Sequence, residues 1–261
     1  MIDLHTHLLP GIDDGPATMS DSVELARHLW EDGARGVAAT PHCRADHPGV
    51  HPQELAARAA ELEDELRASG TGLGVVHAGE VDLTWGLEAS EEELRAVSYR
   101  GLGKDVLVET PYGPLTSNFE TLLFGIAVRG YRILLAHPER NPSFQDDPQR
   151  VERMSENGTL LQVTASALTR PSRTSRSAKL ARRLVEGGHA HVLASDAHGA
   201  AVPGRAGLSD GTRAAVELVG RARTGWMVER VPRAILLGEP LPEAPPIESR
   251  RTGMLARLRQ R

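Results

Sequence analysis

The chain begins Met1-Ile2-Asp3-Leu4-His5-Thr6-His7, and this opening is the most informative stretch of the sequence. Ile2 and Leu4 favour a buried β-strand, whose side chains alternate between two faces. His5 and His7 therefore share one face at the end of the strand. Two imidazoles on one face can bind a single metal ion. An isolated His-x-His pair also occurs by chance, so the rest of the chain must decide between these readings.

Short apolar runs recur along the chain, separated by amphipathic helical segments. The runs lack polar alternation, which is typical of parallel strands that are covered on both faces. The predicted strands are 2–4, 36–40, 73–78, 105–109, 132–136, 159–163 and 191–194. The predicted helices are 20–32, 52–68, 117–129, 148–157, 175–186 and 209–224. This α/β alternation gives seven βα units, which right-handed crossovers close into a barrel or a doubly wound sheet.

Composition indicates one large domain in a reducing compartment. A length of 261 residues suits a single α/β barrel. The net charge of −5 gives no general attraction to nucleic acid. Cys43 is the single cysteine of the sequence, which excludes an internal disulfide. We see neither a signal-peptide pattern nor an apolar run long enough to span a membrane, and we predict a cytoplasmic protein.

The end of the chain differs in composition from the rest. The proline-rich stretch Pro240–Pro246 predicts that the folded domain covers residues 1–240, followed by a tail over 241–261. The last twelve residues carry five arginines interleaved with apolar side chains. We interpret this basic tail as a solvated terminus. The alternative is a small amphipathic helix that contacts anionic lipid or an acidic partner.

Metal-ligating residue types follow or end six of the seven predicted strands. In a parallel barrel, the loops at the carboxyl ends of the strands build the site. The candidate ligands are His5, His7, Asp13 or Asp14, His42, Glu80, Glu109, His137, Asp196 and His198. A single such residue would be an ordinary loop charge, but this many at one barrel end indicate a shared site. Nine ligands exceed the need of one tetrahedral ion, and mixed nitrogen and oxygen ligands favour Mn, Fe or Zn.

The motifs at these strand ends resemble those of a known superfamily. They are His5-x-His7, Asp13-Asp14-Gly15, Thr40-Pro41-His42, Gly79-Glu80, Glu109, His137-Pro138-Glu139-Arg140 and Ser195-Asp196-x-His198. The set is similar to the PHP (polymerase and histidinol phosphatase) superfamily. It is most similar to the bacterial tyrosine-protein phosphatases of capsule and exopolysaccharide synthesis, the CpsB/YwqE type. The resemblance runs from Met1 to about Gly238 and implies a distorted (β/α)7 barrel of the PHP type.

The resemblance also implies a site with three divalent metal ions, manganese by preference, with iron or zinc as alternatives. The first ion would be bound by His5, His7, Glu80 and Asp196, the second by Glu80, Glu109 and His137, and the third by Asp14, His42 and His198. Asp14 is chosen over Asp13 from the family pattern alone. Arg140 and Arg205 match catalytic positions that bind phosphate. The loop 199–204 departs from the family pattern, which weakens the match at Arg205. The segment 162–166 also departs from it, which leaves open whether this segment supports the metal ligands.

The implied activity is metal-dependent hydrolysis of phosphotyrosine on proteins. The expected substrate is a phosphotyrosyl protein, namely a membrane-associated tyrosine kinase of capsule or exopolysaccharide synthesis. A cysteine-based phosphatase is excluded, because the arginine of its Cys-x5-Arg motif would fall at Gly49. Two alternatives stay open: another PHP phosphoesterase, such as a histidinol phosphatase or a nuclease, and a non-catalytic scaffold that binds the kinase. Tyr112 follows Glu109 closely and is a candidate for lining the pocket.

Overall fold

The computed structural model describes residues 1–170, 175–199 and 207–248. Arg205 and the predicted tail from residue 249 onward lie outside the described residues. Within the described ranges the predicted α/β class is confirmed, because every strand pair is parallel.

The strands form two parallel sheets that together follow the predicted series. The strands are β1 (Ile2–Thr6), β2 (Gly36–Ala39), β3 (His42–Cys43), β4 (Gly74–His77), β5 (Glu80–Val81), β6 (Asp105–Glu109), β7 (Arg132–Ala136), β8 (Leu160–Thr164) and β9 (Val192–Ala194). One sheet has the order β1-β2-β4, and the other has the order β3-β5-β6-β7-β8-β9. β3 and β5 lie just after the predicted strands 36–40 and 73–78 and continue them beyond a break, so the strands of the described ranges fill seven strand positions.

Two breaks distort the barrel. Pro41 has no N–H to offer a ladder, and the chain changes sheets between Thr40 and His42. The second break lies at Gly79, whose N–H donates to the carbonyl of Val97 instead of a neighbouring strand. The sequence placed His42 and Glu80 in loops after their strands. The structure instead places them at the start of β3 and β5, where they pair with each other in register.

The first and last strands close the barrel. The N–H of Asp196 donates to the carbonyl of His5 at 2.9 Å, and the N–H of His7 donates to the carbonyl of Ala197 at 2.8 Å. The buried Asp3 carboxylate reinforces this junction by accepting from the N–H groups of His5 and Ser195. Three of the candidate ligands, His5, His7 and Asp196, therefore lie on neighbouring backbone at the seam.

The helices pack outside the strands. They are α1 (Met19–Glu31), α2 (Leu55–Ala68), α3 (Leu83–Glu88), α4 (Glu91–Val97), α5 (Phe119–Ala127), α6 (Pro142–Asp146), α7 (Pro148–Glu156), α8 (Ala165–Thr169), α9 (Arg176–Glu186), α10 (Leu208–Gly225) and α11 (Val231–Leu237). Each predicted helix overlaps one of these. The helices missing from the prediction have only five to seven residues, too few to show a helical period.

Local signals explain where the first helix begins and how the core forms. Thr18 and Asp21 form a reciprocal capping box at the start of α1. Gly33, at φ +101°, turns the chain after the helix in a conformation that disfavours other residues. Leucine, valine and alanine from the strands and inner helix faces make up most of the core. This matches a composition with only 3% aromatic residues.

The segment after α11 lies along the folded domain as far as Glu248. The indole N–H of Trp226 donates to the carbonyl of Pro242 at 2.8 Å, and the N–H of Glu248 donates to the carbonyl of Val219 at 3.1 Å. The domain boundary at residue 240 stays a prediction. None of the helices in the described ranges is both long and apolar enough to cross a membrane.

Candidate metal centre

The nine predicted ligands come together at the carboxyl ends of the strands. Their ligand atoms fall into four overlapping groups, each with all atoms within 4.8 Å of one another. The groups are His7, Asp14, His42 and His198; His5, His7 and Asp196; His5, Glu80 and His137; and His42, Glu80 and Glu109. Seven of the nine side chains are buried, whereas Asp14 is 54% exposed and His198 is 26% exposed. The cluster thus has a buried inner part and an outer part that faces solvent.

Glu80 lies at the centre of the inner part. Its Oε2 is 3.3 Å from His5 Nε2, and its Oε1 is 2.8 Å from His137 Nε2. The same Oε2 is 3.0 Å from His42 Nδ1. One carboxylate therefore faces imidazoles from three different strand positions, which is the geometry of a bridging ligand.

The unpaired polar atoms of the cluster fit metal ions. His42 Nδ1 and Glu80 Oε2 are close but not hydrogen-bonded, and within the described part of the chain neither has another hydrogen-bond partner. His137 Nδ1 is also buried without a hydrogen-bond partner in the described part of the chain. Buried polar atoms without a partner are rare and costly in native proteins. Lone pairs of imidazole and carboxylate that meet in this way are a donor set suited to Mn, Fe or Zn.

Outer hydrogen bonds fix which nitrogen of His5 and of His7 faces the cluster. His7 Nδ1 donates to Asp13 Oδ2 at 2.7 Å, so Nε2 is the nitrogen that faces Glu80 and Asp196. Gln162 Oε1 accepts from the backbone N–H of His137 at 3.2 Å, which identifies that atom as the amide oxygen. His5 Nδ1, at 3.0 Å from the same oxygen, must then donate to it. Partners of this kind hold the imidazole in the tautomer that binds metal.

Asp13 and Asp14 have different surroundings. Asp13 accepts hydrogen bonds from His7 Nδ1 and from the backbone N–H groups of Gly15 and His42, so it holds the loop and orients an imidazole. Asp14 Oδ1 lies 3.5 Å from His42 Nε2 and a similar distance from the ring of His198. Asp14 Oδ1 is thus one of the outer candidate ligand atoms. The oxygens of Asp13 are instead occupied by hydrogen bonds to His7 and to the backbone.

Two candidate ligands have strained backbone. His137 has φ +37° and Asp196 has φ +54°, in the left-handed region that residues other than glycine seldom adopt. Such strain costs about 1–3 kcal/mol per residue and is concentrated at functional sites. At His137 the strained residue precedes Pro138, which begins a 3-10 turn ending at Arg140.

The electrostatics of the cluster favour cations. Burial opposes ionisation of Glu80, but the surrounding imidazoles, His5 first, hold its pKa well below the ordinary value. The pKa of Asp196 is also lowered despite burial, through His5, His7 and Arg140. Burial likewise opposes a charge on His7, yet the nearby carboxylates raise its pKa well above the ordinary value. Ionised carboxylates in a buried cluster require positive charge beside them.

Arg140 lies at the edge of the cluster. Its Nη2 donates to Asp196 Oδ2 at 2.5 Å and to Thr164 Oγ1 at 3.0 Å. In the described ranges, neither its Nε nor its Nη1 donates a hydrogen bond to the protein, and 32% of the side chain is exposed. The guanidinium is therefore anchored at one corner and has free donors for an anion. Arg205, the other predicted phosphate-binding residue, lies outside the described residues.

Several residues of the site escaped the sequence analysis. Gln162 and Thr164 lie in β8, where a polar side chain inside an apolar run was the available signal. Arg44 also belongs to the site, and no pattern in the sequence marks it. Its Nη1 lies 3.3 Å from both oxygens of Glu109, and its guanidinium also pairs with Asp46. Cys43 is buried, and burial raises its pKa, which agrees with its interpretation as a packed residue beside His42.

Comparison with known proteins places the chain in a family. Residues 1–218 match the family model described as capsular polysaccharide synthesis, CpsB/CapC. The chain belongs to the CpsB/CapC family. Among the relatives of this family member is the tyrosine-protein phosphatase YwqE of Bacillus subtilis, with 32% identity over 201 residues, 76% of this chain and 77% of YwqE. The tyrosine-protein phosphatase CpsB of Streptococcus pneumoniae is 24% identical, covering 76% of this chain and 83% of CpsB.

Solved structures agree with this membership. A chain from a study of B. subtilis YwqE and S. pneumoniae CpsB, described there as metal-dependent tyrosine phosphatases, has a TM-score of 0.78 and 27% identity. The alignment covers 96% of this CpsB/CapC member and 100% of that chain. The Listeria monocytogenes protein hisK, with a TM-score of 0.50 and 12% identity, shares the fold alone. The expected barrel of the PHP type is thereby confirmed.

Proposed function

We propose that this chain is a metal-dependent protein-tyrosine phosphatase, a phosphoric monoester hydrolase of capsule or exopolysaccharide synthesis. Its proposed substrate is a phosphotyrosyl protein, namely a membrane-associated tyrosine kinase, and its proposed location is the cytoplasm. The observation that carries the proposal is the buried cluster of imidazoles and carboxylates with Arg140 at its edge. The names of the CpsB/CapC relatives support the choice of phosphotyrosine.

The residues present fit three divalent ions, with manganese as the proposed metal. The proposed ligands are His5, His7, Glu80 and Asp196 for the first ion, Glu80, Glu109 and His137 for the second, and Asp14, His42 and His198 for the third. Metal ions bound there would supply Lewis-acid stabilisation of the phosphoryl oxygens and a nucleophile at neutral pH. Gln162 and Asp13 hold two of the imidazoles in the tautomer that this binding needs.

Arg140 binds the phosphate in this proposal. Its contacts to Asp196 and Thr164 fix the orientation of the guanidinium. Its free donors then meet two non-bridging oxygens in the fork geometry that arginine provides. Arg205 is a second proposed phosphate-binding residue, on the strength of the resemblance alone. A tyrosyl leaving group, with a pKa near 10, needs less protonation than a serine alkoxide.

The decisive experiment measures turnover of a phosphotyrosyl peptide by protein stripped of metal and reloaded with manganese. We expect activity that depends on metal and that His42→Ala or Asp196→Ala abolishes almost completely. Asp64→Ala, on the exposed face of α2, is the matched control and should retain activity. Full p-nitrophenyl phosphate turnover by both site variants, with circular dichroism showing folded protein, would refute the cluster model.

Two further measurements separate the competing functions. Turnover of histidinol phosphate is measured beside that of the phosphotyrosyl peptide. Faster turnover of histidinol phosphate would favour the other PHP phosphatase activity over phosphotyrosine hydrolysis. Tight kinase binding without any turnover in manganese would favour the non-catalytic scaffold. Arg140→Ala should mainly raise KM, and an unchanged KM would remove Arg140 from phosphate binding.

A further inference from the structure

Tyr112 is an exposed aromatic residue beside the metal centre. It lies in the loop between β6 and α5, three positions after Glu109, and 65% of it is exposed. Tyr99 and Tyr131, by contrast, are buried. Burial of the hydroxyl and the nearby Glu109 carboxylate raise the pKa of Tyr112 to about 12. Most of the surface of Tyr112 is therefore open to solvent next to the strand end that carries Glu109.

A buried asparagine holds the loop that presents this ring. Asn141 Nδ2 donates to the carbonyl of Pro111 at 2.6 Å and to the carbonyl of Gly113 at 2.9 Å, the two residues that flank Tyr112. Asn141 is 1% exposed and directly follows Arg140. One short segment therefore carries the phosphate-binding guanidinium and also fixes the loop with the aromatic ring.

Other hydrogen bonds attach the same loop to the same segment. The N–H of Leu115 donates to Ser143 Oγ at 2.9 Å, and Thr110 Oγ1 donates to the carbonyl of Ala136. The loop is thus tied at its start, middle and end. A loop backbone that is held in this way has little freedom to lose when its aromatic residue contacts a ligand, so more of the contact energy is retained in binding.

We propose that Tyr112 is a specificity-determining residue whose ring packs against the phenyl ring of the phosphotyrosyl substrate, with Asn141 as its positioning residue. This inference rests on the proposed function and names what selects an aryl over an alkyl phosphate at that site. In an aryl phosphate the ring is joined directly to the phosphoryl group. A phosphate held by Arg140 and the metal centre therefore brings that ring close to the loop of Tyr112, which Asn141 ties to the segment of Arg140.

The first test compares two competitive inhibitors, phenylphosphonate and methylphosphonate, during p-nitrophenyl phosphate turnover by the manganese-loaded protein. Tyr112→Leu should weaken phenylphosphonate about 3- to 10-fold, the range that aromatic pairs contribute, and leave methylphosphonate unchanged. Tyr112→Phe keeps the ring and should match the wild type. Equal weakening of both inhibitors by Tyr112→Leu, or a defect in Tyr112→Phe, would show that the hydroxyl supports Glu109 and would overturn the proposal. No change in Tyr112→Leu would overturn it as well.

The second test asks whether Asn141 acts through Tyr112. Asn141→Ala should reduce the preference for phenylphosphonate in the wild-type background and cause no further reduction in Tyr112→Leu, because neighbours that share one role are not additive. If Asn141→Ala reduced the preference for phenylphosphonate in Tyr112→Leu as much as in the wild type, Asn141 would not act through Tyr112 and its positioning role would be refuted. Failure of the proposed function is distinguishable: wild-type protein would then leave phosphotyrosyl peptide intact, while the inhibitor ratio could still be read with p-nitrophenyl phosphate.

Discussion

Replacement of Gln162 by methionine tests how the outer hydrogen bonds support the metal centre. Gln162 is fully buried in β8, and its Oε1 accepts from His5 Nδ1 at 3.0 Å and from the N–H of His137 at 3.2 Å. Methionine has a similar length and lacks an acceptor of comparable strength. The amide nitrogen of Gln162 has no hydrogen-bond partner in the described part of the chain, so its removal breaks no bond.

The structure gives two magnitudes for this substitution. A buried donor without an acceptor costs about 1–3 kcal/mol, and the His137 N–H is the donor that stays without one, so the free energy of unfolding should fall by about 1–3 kcal/mol. The second effect concerns metal affinity. Without the Gln162 oxygen, His5 is free to carry its proton on Nε2, the atom that faces Glu80 and Asp196. Loss of an outer partner of this kind typically weakens metal binding about 10- to 100-fold.

Titration with a chelator, followed by activity and by bound metal, measures the second effect. The Met variant should lose manganese at a chelator concentration lower than the wild type by about one to two orders of magnitude. Gln162→Glu is the matched control: it keeps an acceptor for the His5 proton and should retain metal at least as well as the wild type. Equal chelator midpoints for the Met variant and the wild type would refute the argument that this hydrogen bond sets the tautomer.

Three further predictions concern other parts of the molecule. Asp14→Ala removes a 54% exposed carboxylate, so metal analysis should find about one ion fewer per chain with little loss of stability; unchanged stoichiometry would contradict this. Gly220 has φ +83° and ψ 166°, and a Cβ there would lie 2.8 Å from that of Glu248, so Gly220→Ala should lower the free energy of unfolding by about 1–3 kcal/mol in urea titration. Burial lowers the pKa of His191 to about 4, and its Nδ1 accepts from the N–H of Leu161. Between pH 6.5 and 4 the unfolded state therefore binds a proton on His191 that the folded state does not bind. The free energy of unfolding should fall by up to about 3 kcal/mol over this range in urea titrations, and His191→Asn should lack this part of the decrease.

Much of the fold could be predicted from local patterns. Continuous apolar runs marked the strands, and helical spacing marked the long helices, because both patterns reflect burial on defined faces. The short helices and the two broken strands could not be predicted in this way. Pro41 interrupts the first of these strands, but the pairing of β3 with β5 after the break joins residues about 40 positions apart, which no local pattern shows.

The candidate site shows the same division. His5 and His7 share a face because strand geometry requires it, and this was evident from seven residues. The different roles of Asp13 and Asp14 were not evident from the sequence, because the two residues are adjacent and of the same type and differ only in which groups they contact. Asp13 meets His7 and backbone N–H groups, whereas Asp14 faces the outer imidazoles.

Local patterns in the sequence specify the parallel α/β class, the end of the strands at which the chemistry lies and the residue types gathered there. These properties follow from alternation, periodicity and strand order, which are encoded locally. Only the tertiary structure decided that Glu80 faces three imidazoles, that Gln162 sets the tautomer of His5, and that Asn141 holds the loop of Tyr112. Each of these depends on contacts between residues far apart in the chain, whose distances are set by the closure of the barrel.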